Sequence, residues 1–385
     1  MPPAASDSAN SLPSRWPSHA GAGGKPETPL EARRCTVQLS TGRLYLDAAA
    51  TPATALLGHD LPRLRPTDEP TVRRMISSLA PGYTCVALAP SYSSAVALAT
   101  NLARSVSAPS RRILEMNALD GGLPSSPDPN DLILAWENET LARTGRWLAS
   151  AAWQRPPDFI VIGDALALGS PFGAALASET RAASLELSQM AGDVAARLLS
   201  TDFNSFGNSS ARPRSGIVDE AVPSATLSRV AAAIGTVEKE GLLQHGRELA
   251  DYLAARLAAV RETCPQIESI SRAGLLFHIE VAPPLTASLV RRRMCERGVL
   301  VASREPKNGG EKSDLQKSDQ HEGKHVENGE RENDGQSNAE DTTLIINAPL
   351  TLRIAEADVI TGALRGALLD SPMPTASAPC SACSS

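Results

Sequence analysis

The feature that most constrains this chain is a set of short apolar runs between residues 84 and 166. TCVALA (84–89), RRILEM (111–116), DLILAW (131–136) and DFIVIGDAL (158–166) are of strand length, and FIVI is the most compact of them. Runs that are apolar throughout fit strands buried on both faces. SSAVALATNLARSV (93–106) has helical spacing instead, and Ser91 stands where a helix cap would. Strands alternating with helices predict a parallel sheet with crossover helices.

RLYLD (43–47) is a further strand candidate, and residues 70–80 read as a helix. Downstream the character changes. Residues 176–200 are rich in Ala, Leu and Glu and read as helical. A polar stretch, 201–216, follows. Residues 224–261 carry a long amphipathic helical pattern broken near Gly241. GLLFHIEV (274–281), VLVAS (299–303) and TLIINA (343–348) are strand candidates, and 287–298 and 356–370 are helices, the first ended by Gly298. Residues 1–35 read as a disordered leader, 304–342 as a solvated insertion and 371–385 as a disordered tail, since none holds enough apolar surface to offset ordering entropy. The expected units are therefore an N-terminal segment (36–80), a large domain (81–223), and C-terminal helices with a small domain (224–370).

Charge and composition exclude several functions. Net charge is -6 and the sequence pI about 5.6, which opposes a nucleic-acid or anionic-membrane partner. No apolar run approaches the roughly 18 residues of a membrane span. Aromatics are only 3%, so the core must come from Ala, Leu, Val and Ile. The six cysteines are scattered, which argues against a disulfide framework and for a reducing compartment, with a cytoplasmic location expected. Arg15, Arg33 and Arg34 hint at an organellar leader, but Asp7, Glu27 and Glu31 oppose it. Cys380 and Cys383 form a lone CxxC, and His321 and His325 an HxxxH in a segment with no helical composition; no metal site is expected from either.

Several stretches, in order, resemble one family. GRLYLD and ATALLGHDLP (42–62), LAPSYSSAVALATNLAR (88–104), LEMNALDGG (114–122), LILAWENETLARTGRWLA (132–149), DFIVIGDALALGSPFGAAL (158–176), AAAIGTVEKEGLLQHGRELADYLAARL (231–257), ISRAGLLFHIEV (270–281) and APLTLRIAEADV (348–359) are similar to consecutive segments of the class III aminotransferases. The resemblance covers most of residues 42–370 and is nearest to the acetylornithine and ornithine branch. It implies an α/β, fold-type I architecture: a large domain with a mainly parallel sheet, here shortened, and a smaller C-terminal α/β domain. It also implies a homodimer, a role in amino-acid metabolism, and pyridoxal phosphate as cofactor if the family function is kept.

That chemistry needs a lysine for the Schiff base and a carboxylate against the pyridinium nitrogen. Counting back from Pro171, the resemblance puts the lysine position at Asp164; counting back from Gly145, it puts the aspartate position at Ala135, with Glu137 two residues on along the same strand face. No lysine occurs between Lys25 and Lys239, and Lys239 reads as part of a solvated helix face. Ser91 matches a phosphate-contacting serine, but Tyr92 replaces the glycine beside it, where a side chain would crowd the phosphate. Ser205, in SFGN (205–208), is a remnant of a second phosphate loop, and the substrate-carboxylate arginine position is Ile345. The expectation is a pseudoenzyme: aminotransferase-like, without bound cofactor, acting as a binding protein or as a dimer partner of itself or of an active relative. The alternatives are a transaminase of the acetylornithine/ornithine type with a relocated site, and an unrelated acid–base role for Asp164. His278 reads as an ordinary strand histidine.

Overall fold

The computed structural model describes residues 29–40, 42–49, 56–60, 62–106, 111–117, 128, 130–190, 221–283, 285–303 and 342–370. The expected tail, the SFGN turn with Ser205, the CxxC pair, the HxxxH pair, and nearly all of the expected leader and insertion lie outside them.

The large unit is built on five strands: β4 (Tyr83–Ala89), β5 (Ile113–Asn117), β6 (Leu132–Glu137), β7 (Phe159–Ile162) and β8 (Gly173–Ser178), in the order β4-β8-β7-β6-β5. Strands β5, β6 and β7 are parallel, while β8 runs antiparallel to both of its neighbours. Side chains alternate between two covered faces. Leu132, Leu134, Phe159, Val161, Ala175 and Ala177 face helix α2 (Tyr92–Ser105). Ala135, Ile160, Ile162, Ala174 and Leu176 belong to the main core, with Val72 and Ile76 of α1 (Glu69–Ser78). This double burial is why these strands read as unbroken apolar runs.

Helix α2 approaches the sheet closely through Ala95, Ala99 and Ala103, spaced one turn apart on one face. Opposite them Gly173 starts β8; a Cβ there would lie 2.5 Å from the Ala95 Cβ and 2.5 Å from the Ser91 carbonyl oxygen. The stretch 176–178, expected to begin a helix, is instead the end of β8; helix α3 (Glu179–Met190) starts only after it. GAALAS has weak strand propensity, and its place between β4 and β7 overrides it.

The expected leader also reached too far. Pro29–Arg33 is a strand, β1, paired antiparallel with β2 (Thr36–Leu39), and Cys35 between them is fully buried. Strand β3 (Leu44–Asp47) continues this sheet. Helices α4 (Ser224–Lys239) and α5 (Leu242–Thr263) meet at Gly241, whose φ of 64° lets the chain turn where the pattern breaks. A hairpin of β9 (Ile267–Ala273) and β10 (Leu276–Val281) follows, then α6 (Ala287–Glu296). The segment VLVAS, expected as one strand, is split between two sheets. Its first half, β11 (Val299–Leu300), runs parallel to β3. Its second half, β12 (Ala302–Ser303), pairs with β13 (Thr343–Asn347), which also pairs with β10. Helix α7 (Ile354–Leu369) ends the described chain, its Ile360, Leu364 and Leu368 buried in the main core.

Candidate functional site

In an open α/β sheet the carboxyl ends of the parallel strands are where ligands bind. Here that edge gathers Ser91 and Tyr92 after β4, the residues following Glu137 at the end of β6, and Gly163 and Asp164 after β7.

Ser91 is the N-cap of α2, as expected. Its Oγ accepts from the Ser94 backbone N–H at 3.1 Å and shares hydrogen bonds with the Ser93 and Ser94 hydroxyls at 3.0 and 2.8 Å. Tyr92, the first residue of the helix, turns its ring onto the backbone of Gly163. A Cβ on Gly163 would lie 2.7 Å from the tyrosine Cδ2 and 2.4 Å from Asn138 Oδ1. Burial pushes the Tyr92 phenol above its ordinary range, and the carboxylates of Glu139, Glu137 and Asp164 push it the same way. The edge is thus lined with acceptors and negative charge.

Asp164 opens a one-turn 3-10 helix, Asp164–Ala167. Its Oδ1 accepts from the Phe172 backbone N–H at 2.9 Å, and its carbonyl accepts from Gly169 N–H at 3.2 Å. These bonds close a loop that passes through two left-handed residues, Leu168 (φ 51°) and Gly169 (φ 88°), and delivers the chain into β8. Asp164 therefore holds a turn.

Ala135 sits in the middle of β6 between Met116 and Ile160, fully buried. Glu137 shares its face and is fully buried too, but its carboxylate is engaged: it accepts from Thr140 Oγ1 at 2.7 Å and from Ser150 N–H at 2.5 Å. Burial raises its pKa above the usual carboxylate range, with the Ser150 and Thr140 hydrogen bonds working against the shift. Ile345 lies in β13 between His278 of β10 and Ala302 of β12, far along the chain from this edge and uncharged. Lys239, at the end of α4, is exposed and is the single lysine among the described residues.

Sequence reasoning missed Arg143. This residue of the ARTG turn is fully buried, the largest such side chain described. Its carbonyl accepts from Leu275 N–H at 3.1 Å, and the Gly274 Cα packs so close beneath it that a Cβ there would lie 1.9 Å from that oxygen. The tight RTG spelling was a signal for a turn, and nothing in it foretold a buried charge. Among the described residues no three His, Cys, Asp or Glu side chains are grouped to hold a metal. Cys35, Cys85, Cys264 and Cys295 form no disulfide; burial pushes the Cys35 and Cys85 thiols up to about 12, which makes these two poor nucleophiles.

The profile of the family "Aminotransferase class-III" matches residues 137–308, a span that runs straight through Asp164 and the α4–α5 pair. Over that span the chain is similar to the class III aminotransferases. Solved structures at low sequence identity superpose over about 90% of the chain. A phospholyase from Arthrobacter in complex with phosphoethanolamine shares 15% identity at a TM-score of 0.63, covering 90% of this chain and 96% of its own. The ornithine delta-aminotransferase of Plasmodium falciparum shares 15% at 0.61, covering 90% and 94%. The N-acetylornithine aminotransferase of Stenotrophomonas maltophilia shares 14% at 0.61, covering 89% and 96%. No curated protein matches the sequence. No helix of the described residues is long and apolar enough to cross a membrane. The fold is thus an α/β fold with mixed sheets, shared with these solved structures.

Proposed function

We propose that this chain keeps the class III scaffold without its transaminase chemistry, and works as a binding or partner subunit. One observation carries the reading: at the lysine position stands Asp164, whose carboxylate ties the backbone of Phe172, and the single described lysine, Lys239, is exposed on α4. The cofactor does not fit the residues present. Pyridoxal phosphate needs a covalent lysine, a carboxylate for its ring nitrogen and a phosphate cradle. Ala135 offers a packed methyl group, and Glu137 is engaged by Ser150 and Thr140. Tyr92 covers Gly163, and the charge around it is negative, which opposes a phosphate dianion.

Within the family we assign the chain nearest the ornithine and acetylornithine branch, supported by two neighbours of that kind. We assign it a dimer, either with itself or with an active relative. The test is titration of the purified chain with pyridoxal phosphate, followed by absorbance. The reading predicts only the spectrum of free cofactor plus chain. A saturable band at one equivalent that shifts on adding ornithine or acetylornithine would instead establish a transaminase with a relocated site.

A further inference from the structure

Six buried side-chain polar atoms without a hydrogen-bond partner lie on the single stretch from Trp136 to Ser150: Trp136 Nε1, Asn138 Oδ1, Arg143 Nε and Nη2, Thr144 Oγ1 and Ser150 Oγ. Buried polar atoms are nearly always paired, so such a concentration marks a place where a polar group is expected. Arg143 is the sharpest case. Its Nη1 donates to the Glu139 carbonyl oxygen, and its backbone N–H donates to Thr140 at 3.1 Å. Nε and Nη2 donate to nothing. These two atoms form one edge of the planar guanidinium, the edge that meets a carboxylate through two parallel N–H···O bonds.

Burial lowers the Arg143 pKa to about 10, with Glu139 opposing the shift, so the group is charged at neutral pH. A buried charge with two empty donors, offset only by the Glu139 carboxylate at the solvent side, is unfavourable until an anion meets those donors. Glu139, whose carbonyl holds the guanidinium, is itself exposed, so this end of the loop lies next to solvent.

We propose that the Nε–Nη2 edge of Arg143 is a binding site for the carboxylate of a small organic acid. Charge selects the class. One guanidinium balances one negative charge, and a carboxylate monoanion brings one. A phosphate dianion leaves an excess beside a strand edge that already carries Glu137, Glu139 and Asp164. The loop that holds Arg143 also docks on the C-terminal part of the chain, through Leu275 N–H on the Arg143 carbonyl and through Arg247 Nη2, which donates to the Gly145 carbonyl at 3.1 Å. A bound acid fastens that loop where the two parts meet. The site stands whether or not the chain transaminates, and its test involves no pyridoxal phosphate.

The probe is acetate, added to the full chain at constant ionic strength, with chloride and phosphate as comparisons and the melting temperature as readout. The expected result is a saturable rise of roughly 2–3 °C at tenfold excess over Kd, since only the folded state holds the site. Chloride and phosphate give no such rise. Arg143→Lys keeps the charge and loses the two-point edge, so its response to acetate disappears while its circular dichroism stays native. Equal responses to acetate and chloride, or an Arg143→Lys variant that still responds, overturn the proposal. Should that variant not fold, calorimetric titration of the wild-type chain decides: a saturable heat with acetate and none with chloride supports the site, and no acetate heat refutes it.

Discussion

Replacing Asp164 by alanine tests what that residue does. In the wild type its Oδ1 accepts from the Phe172 backbone N–H at 2.9 Å, and Phe172 is fully buried. Alanine leaves that N–H without its acceptor in a place water does not reach. A hydrogen bond to a charged group contributes about 1.5–3 kcal/mol, and a buried donor left unpaired costs about 1–3 kcal/mol. Asp164 is itself only half-buried, so the lower part of the range applies, about 1–2 kcal/mol. For a chain of this size that lowers the melting temperature by roughly 1–4 °C. Asp164→Asn keeps an acceptor at the same atom and costs less than about 1 kcal/mol. Asp164→Lys removes the acceptor as alanine does. It also gains no stoichiometric cofactor adduct, because Tyr92 still covers Gly163 and Ala135 still offers no charge. Urea unfolding followed by circular dichroism ranks the three variants. Alanine within about 0.5 kcal/mol of wild type would refute the structural role and return Asp164 to the list of groups open for chemistry.

Four other outcomes are expected. Gly173→Ala puts a methyl group against Ala95 and the Ser91 backbone, neither of which can swing away, and is expected to cost about 2–3 kcal/mol in urea unfolding. Gly362→Ala, on the exposed face of α7 with open space around it, is expected to add up to about 1 kcal/mol instead. Glu137 has a folded pKa above its ordinary 4.5, so as pH rises from there the unfolded chain sheds the proton first and stability falls until the folded pKa is passed. Glu137→Gln removes that slope, which melting curves across pH will show. Light scattering is expected to give a dimer; a clean monomer would remove the partner-subunit role.

Much of the fold was legible because burial on both faces writes itself into the sequence. FIVI, TCVALA and DLILAW are strands within a residue or so of where they were expected. Gly241 and Gly298 end helical patterns at φ of 64° and 82°, which only glycine adopts without strain. What escaped were elements set by tertiary neighbours. GAALAS becomes a strand because β4 and β7 flank it, and Pro29–Arg33 becomes one because Cys35 and Val37 beside it find a core. VLVAS divides because two sheets each claim half of it. At the site, residue identities raised the question of Asp164 and Ala135, while their partners show what those side chains hold. Nothing in the spelling of Glu137 shows Ser150 holding it, and nothing in ARTG shows a guanidinium with an open edge.

The central claim is that no lysine among the described residues is placed to bind pyridoxal phosphate covalently. Borohydride reduction in the presence of the cofactor, followed by peptide mass mapping, tests it most directly. The expected result is fractional labelling spread over the six lysines of the sequence, with none favoured. One lysine labelled to a full equivalent, and protected by competing amino acid, would contradict it.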